Sequence, residues 1–174
     1  MNFRLLALKI LLNIESIRTV PSAALQALQE GYDSPSLWIL AGFSKHDDVY
    51  DILHYYHNAL DELGIILPDK RDAAIEIALS IADEIFDNRR QLIEGVRGIK
   101  NTVIDAYPFY EESKHRVYDS ISFENIYASL LEIEELEWSA YQWHHNKTNK
   151  ELEAEFSLDL MKELREWYAL MKNK

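Results

Sequence analysis

Apolar residues recur with the period of an α-helix along nearly the whole chain, and this pattern constrains the fold more than any other feature. In the clearest segment the apolar side chains fall within about a 100° arc of a helical wheel; they are Val49, Ile52, Leu53, Tyr56, Leu60 and Leu63. Only 5 glycines and 4 prolines occur in 174 residues, so turns are few and the elements are long. The sequence therefore predicts an all-α fold, a multi-helix bundle of about seven to eight helices with more than about 60% helix.

Residues that favour helix starts and stops mark the boundaries. Ser34 and Pro35 suit the cap and the first position of a helix, and Thr148 with Glu151 forms a capping box. Glycines at 31 and 64 suit helix C-terminal ends. The predicted helices cover residues 3–17, 21–31, 34–42, 44–64, 70–88, 92–106, 122–143 and 148–172, with a loop and a helical turn over 109–120. We predict a single helical domain over residues 1–174, with a subdivision at the connector 64–69 as the alternative.

The composition narrows the classes of partner and of chemistry. A net charge of −12 repels nucleic-acid phosphates and anionic lipid, so we predict neither a nucleic-acid nor a membrane partner. The chain contains no cysteine, which excludes disulfides, thiolate metal sites and thiol nucleophiles.

The N-terminal segment resembles a signal peptide superficially, but Lys9 interrupts its apolar run and no cleavage motif follows. No apolar run reaches the ~18 residues of a membrane span, and we expect a soluble cytoplasmic protein.

One acidic, aromatic segment is a candidate docking surface. Residues 117–146 contain no lysine or arginine, and a cation-free surface of this kind suits a basic protein partner. The candidate partner-binding residues are Glu124, Glu132, Glu134, Glu135, Glu137 and Tyr141. The alternative interpretation is the solvated face of an ordinary amphipathic helix.

A histidine and aspartate cluster raises the question of a metal site. Asp51, His54, His57 and Asp61 are three or four residues apart along a predicted helix, and that spacing brings side chains together. Two imidazoles with carboxylates suit zinc or iron. However, His54 and Asp61 face away from the apolar stripe, so we favour a solvated face over a metal site. We expect no cofactor.

A short basic cluster is the third candidate site. Arg89, Arg90, Arg97 and Lys100 lie close together in an otherwise acidic chain. They suit a phosphate or carboxylate ligand, and would then form an anion-binding or small-ligand helical domain. The alternative, which we favour, is pairing with the protein's own carboxylates.

Known catalytic patterns are missing from the sequence. The phosphate-binding glycine motifs, the serine nucleophile elbow and the paired-histidine zinc motif are all absent. We therefore expect a non-enzymatic interaction protein that binds or neutralises a basic partner, as an immunity protein or antitoxin does. A metal-assisted enzyme using the helix from Asp47 to Asp61 is the alternative.

The 4 tryptophans and 10 tyrosines exceed what one core readily buries, which points to a homodimer.

One segment resembles a known group of proteins. Residues 24–42 read ALQALQEGYDSPSLWILAG, and Glu62-Leu63-Gly64 with Pro68 follows. This combination resembles small uncharacterised bacterial all-helical proteins in which a Gly-Tyr-Asp-Ser-Pro-Ser-Leu turn leads into a Leu-Ala-Gly helix end. The resemblance covers about the first 70 residues. It implies an all-helical bacterial protein and brings no assigned activity.

Overall fold

The computed structural model describes residues 2–138 and 147–173, and for residues 137 and 138 it describes the backbone only. Within those ranges helices account for 74% of the residues and no strand occurs, which confirms the all-α prediction. The α-helices of the described ranges are α1 (Phe3–Leu11), α2 (Val20–Gln29), α3 (Pro35–Gly42), α4 (Val49–Glu62), α5 (Lys70–Phe86), α6 (Leu92–Gly98), α7 (Phe109–Glu112), α8 (Glu124–Trp138) and α9 (Asn149–Lys172). Two compact units divide the chain, Met1–Ile77 and Ala78–Lys174. The division lies inside α5 and not at the connector 64–69, and the number of domains stays a prediction.

The first unit contains α1 to α4 and the start of α5, and α1 to α4 pack around one apolar core. The predicted stripe of α4 supplies Ile52, Tyr56 and Leu60 to this core. The first helix is shorter than predicted, because it ends at Leu11 instead of continuing to residue 17. Asn13 takes a left-handed φ of 58°, a conformation that asparagine tolerates and that a continuing helix does not allow.

The predicted caps of the first unit are present. Ser34 Oγ accepts a hydrogen bond of 3.1 Å from the Leu37 amide, and Pro35 is the first residue of α3. Gly31 and Gly64 follow α2 and α4 with φ angles of 96° and 64°, where a Cβ atom would be strained. These residues fix the end of α2, the start of α3 and the end of α4.

The second unit contains the rest of α5 and helices α6 to α9. The predicted helix 92–106 is present, but it changes from α to a π-helical turn at Ile99–Val103 and then to a 3₁₀ turn at Ile104–Ala106. Gly95 lies against α5, because a Cβ atom on it would fall 2.5 Å from Ile85 Cδ1. At Gly98 the nearest atom would be 3.9 Å away.

Helices α8 and α9 form an antiparallel pair. Asn149, at the start of α9, donates to the Leu136 carbonyl near the end of α8, whereas Trp167 donates to the Ile121 carbonyl that precedes α8. The inward stripes of both helices are buried, and their members are Ile126, Leu130, Ile133, Leu152, Leu160, Leu164, Trp167 and Met171. The capping box of Thr148 and Glu151 begins α9 as predicted.

Candidate functional site: an acidic groove between two helices

A polar groove of about 390 Å³ lies between α8 and α9. On the α8 side its lining residues occur at spacings of three, four and seven, which places them on one face of the helix. On α9 the lining residues likewise lie next to the buried stripe. They are Asn125, Ala128, Ser129 and Glu132 from α8, and Phe156, Asp159, Lys162, Glu163 and Glu166 from α9.

The charge of this acidic groove is predominantly negative. Glu132, Asp159 and Glu166 are exposed carboxylates, and Glu163 is half-buried. Lys162 is the only cation among the lining residues. At neutral pH the groove therefore presents a negative potential to any approaching molecule.

One hydrogen bond holds a groove carboxylate in place across the two helices. Ser129 Oγ, with 9% of the residue exposed, donates to Glu163 Oε2 over 2.7 Å. The bond joins α8 to α9 and holds the Glu163 carboxylate in place without a ligand. The half-buried Phe156 and the exposed Ala128 add apolar contact area beside these charges.

The predicted partner-binding residues do not all lie together. Glu132 lines the groove, and Glu135 is exposed on α8 outside it. Glu134 Oε1 pairs with Arg97 Nε over 2.8 Å. Glu124 departs from the expected exposed position, because it is half-buried and its Oε2 atom has no hydrogen-bond partner within the part of the chain that the structure describes.

Two further members of that set lie outside the described atoms. The backbone of Glu137 belongs to α8, but its side chain is not described, and Tyr141 falls in the gap 139–146. Conversely, sequence reasoning missed the α9 residues Asp159, Glu163 and Glu166. Their spacing of three and four along a helix was a signal that could have found them.

Each residue of the basic cluster pairs with a carboxylate of the protein. Arg89 with Asp87, Arg90 with Glu84 and Arg97 with Glu134 each form ion pairs of 2.8 Å, and Lys100 with Asp105 forms one of 3.1 Å. The Asp87 hydrogen bond raises the pKa of Arg89. Burial acts to lower the pKa of Lys100, but the Asp105 hydrogen bond and nearby charges outweigh it, so that pKa is raised.

The four residues of the basic cluster do not line one common hollow. Arg89 and Arg90 line a shallow hollow of about 260 Å³ with Asn88, Gln91 and Glu94, whereas neither Arg97 nor Lys100 lines it. The hollow thus combines two guanidinium groups, both already paired, with a glutamate. This geometry favours internal pairing over an anion site.

The candidate metal ligands lie along one helix and face solvent. Asp51, His54, His57 and Asp61 are all exposed on α4, and His54 Nε2 lies 3.3 Å from Asn58 Nδ2. Across residues 2–138 and 147–173, no three histidine, aspartate or glutamate side chains come together in a way that could hold a metal ion. All four side chains therefore meet solvent, and the preference for a solvated face over a metal site stays a prediction.

Comparisons with known proteins return no relative. No family model matches the chain, and neither a curated protein nor a solved structure matches it. The resemblance of residues 24–42 to small bacterial helical proteins accordingly stays a prediction. Separately, none of the helices in the described ranges combines the length and the apolar character that crossing a membrane requires.

Proposed function

We propose that this chain is a non-enzymatic interaction protein that binds a basic protein partner in the acidic groove between α8 and α9. The observation that carries the proposal is the groove itself, where four carboxylates and one lysine surround a hollow of about 390 Å³. An immunity protein or antitoxin acts in this manner, and a cytoplasmic location fits that role.

The physical advantage of such a groove lies in association and in preorganisation. Negative potential steers a basic partner into encounter and speeds its association. The Ser129–Glu163 bond holds one carboxylate in place, so less side-chain entropy is lost when the partner binds. Phe156 offers an aromatic contact beside the charges, and desolvated aromatic contacts hold complexes together.

The positions and ion pairs of the four basic residues support the same proposal. The four cations pair with carboxylates elsewhere in the protein, and none of them lines the acidic groove. The net charge of −12, which already counts these cations, adds a long-range attraction for a basic partner. Binding should therefore weaken as ionic strength rises.

Site-specific cross-linking tests the location of the partner. Because the chain contains no cysteine, Ala128→Cys places a single thiol at the groove for labelling with a benzophenone maleimide. Ala154→Cys, at an exposed position of α9 outside the groove, is the matched control. After illumination in a lysate of the native host, we expect a basic protein cross-linked from position 128 and not from position 154.

Competition with unlabelled protein tests whether the cross-link reports specific binding in the groove. Unlabelled protein should abolish the cross-link, whereas the variant Glu132→Lys/Glu166→Lys should not compete. An acidic cross-linked protein would contradict the proposal. Equal capture from both positions, or unimpaired competition by the reversed variant, would contradict it as well.

A further inference from the structure

The solvent-facing side of α3 is entirely apolar. Pro35, Trp38, Ile39 and Gly42 are exposed and lie at positions i, i+3, i+4 and i+7 of the helix, which places them along one face. The opposite face supplies the buried Ser36, Leu37 and Leu40. Surface helices normally turn charged or polar residues to water, yet α3 contains no charged residue. We call these four exposed residues the α3 face.

The α3 face is held rigidly, so its exposure does not come from a fraying helix. Ser34 caps the first turn, and Glu62 at the end of α4 accepts hydrogen bonds from the Ser36 amide (2.9 Å) and the Ser36 hydroxyl (2.7 Å). These two contacts fix the position of α3 against α4. An ordered apolar face that meets water is a feature of interaction sites.

The largest residue of the face is oriented by a neighbouring carboxylate. Trp38 Nε1 donates a hydrogen bond of 2.8 Å to Asp33 Oδ1, although Trp38 is 62% exposed. The indole N–H is thereby satisfied, and much of this residue, whose ring faces are electron-rich, stays accessible to a partner. Asp33 is itself exposed, and an ionised carboxylate accepts several hydrogen bonds, so acceptor capacity remains after the bond to Trp38.

This pairing of an exposed indole with a carboxylate matches the chemistry of arginine. A guanidinium group is planar, stacks on aromatic rings and donates paired hydrogen bonds to a carboxylate. A lysine ammonium is a compact, strongly hydrated charge and fits the same pair less well. Beyond Trp38 the face continues with Ile39 and Gly42, which carry no charge, and the Ile39 side chain offers contact to an apolar group.

We propose that the α3 face and Asp33 form a docking site for a segment of a partner protein that presents an arginine next to an apolar side chain. The arginine stacks on Trp38 and pairs with Asp33, and the apolar side chain covers Ile39. Because every residue of this site lies in the first unit, the proposal does not depend on the acidic groove.

Nuclear magnetic resonance on the full chain tests the site with a defined probe. The indole N–H signals of the 4 tryptophans are followed while acetyl-Arg-Leu-amide is added at 150 mM salt. We expect a saturable shift of the Trp38 signal. Acetyl-citrulline-Leu-amide, which has no charge, should bind about fivefold more weakly, as the loss of one exposed cation–π or ionic contact allows. Acetyl-Arg-Gly-amide should also bind more weakly.

Matched variants separate the site from general charge attraction. Asp33→Asn keeps an acceptor for Trp38 and removes the charge, and it should weaken binding about fivefold. Asp61→Asn changes another exposed carboxylate, on α4, and should leave binding unchanged. Trp38→Ala should abolish the interaction, which is then read from backbone amide shifts, whereas Tyr50→Ala at a residue that is 82% exposed should not affect it.

Three results would overturn the proposal. Citrulline and arginine peptides that bind equally would remove the role of the guanidinium. If Asp33→Asn and Asp61→Asn weakened peptide binding equally, the interaction would be a general attraction by an acidic protein. Sedimentation in which Trp38→Ala converts a dimer to a monomer, without any peptide-induced shift in the wild type, would assign the α3 face to contact between two copies of this chain.

Discussion

At the scale of single residues, Gly95 shows how a missing side chain sets the distance between α5 and α6. A Cβ atom there would lie 2.5 Å from Ile85 Cδ1 and 3.0 Å from Arg90 Cδ. Ile85 is buried, so its side chain has little room to move. We expect Gly95→Ala to lower the free energy of unfolding by about 1–3 kcal/mol, the usual cost of overpacking.

Gly98 provides the matched control for that change. Its nearest atom would be Arg90 Nη1 at 3.9 Å, an ordinary contact, and alanine favours the helix by up to about 1 kcal/mol over glycine. Gly98→Ala should thus be neutral or stabilising in urea unfolding. If both alanine variants had the same midpoint, the close approach at Gly95 would be refuted.

Tyr56 carries a second single-residue prediction, which concerns pH. Its hydroxyl is buried with no hydrogen-bond partner among the described residues, and burial raises its pKa to about 12. The unfolded tyrosine ionises near its ordinary pKa of about 10, whereas the folded one stays protonated. The folded state therefore binds more protons between about pH 10 and 12, and stability falls as pH rises through that window.

Phenylalanine at position 56 isolates this effect. We expect Tyr56→Phe to raise the free energy of unfolding by about 1 kcal/mol at pH 8, because an unpaired buried hydroxyl is removed. Between pH 8 and pH 12 the free energy of unfolding of the variant should fall by about 2 kcal/mol less than that of wild type. Tyr50→Phe, at a residue 82% exposed, is the control. If the free energies of unfolding of wild type and Tyr56→Phe fell in parallel with pH in urea titrations, ionisation of Tyr56 would not be the cause of the loss.

At the scale of helices, one carboxylate of α4 binds the first turn of α3, in addition to the apolar core that the two helices share. Hydrogen bonds from the Ser36 amide and hydroxyl lower the pKa of Glu62. A lowered folded-state pKa means that this stabilisation is complete above the ordinary glutamate pKa and is lost as pH falls through the folded value. Glu62→Gln should be less stable than wild type at pH 7 and closer to it at pH 3. Glu153→Gln, which changes an exposed carboxylate of α9, is the control in the same unfolding titrations.

Helix ends differ in how well sequence could predict them. Ser34, Gly64 and Thr148 act through local capping contacts, so sequence alone located the ends beside them. The early end of α1 depends on Asn13 adopting a left-handed φ of 58°, which asparagine tolerates but does not require. The π-helical turn after Gly98 likewise has no local sequence signal, because the apolar period continues through it.

At the scale of the whole molecule, the candidate site combines residues that are distant in sequence. Glu132 was predicted from a cation-free segment, but Asp159, Glu163 and Glu166 join it only because α9 packs antiparallel to α8. Sequence reasoning found the acidic character without the second wall of the groove. Pairing of Arg97 with Glu134 similarly required the packing of α6 near α8, although internal pairing of the basic cluster was the favoured expectation.

The most direct test of the proposed function measures how fast the cross-linked partner associates with this chain. Stopped-flow association rates are compared across ionic strength for wild type, for Glu132→Lys/Glu166→Lys in the groove, and for Glu135→Lys/Glu153→Lys. The last variant changes the same net charge on the same helices at exposed positions outside the groove. We predict that groove reversal slows association at least about tenfold at low salt, while the control slows it much less.

The difference between the two variants should shrink as salt rises, because the screening length falls to about 8 Å at physiological ionic strength. Circular dichroism should show both variants folded, since exposed substitutions rarely cost more than about 0.5 kcal/mol. Equal slowing by the two variants, or an association rate that ignores both salt and groove reversal, would contradict the acidic groove as the binding site.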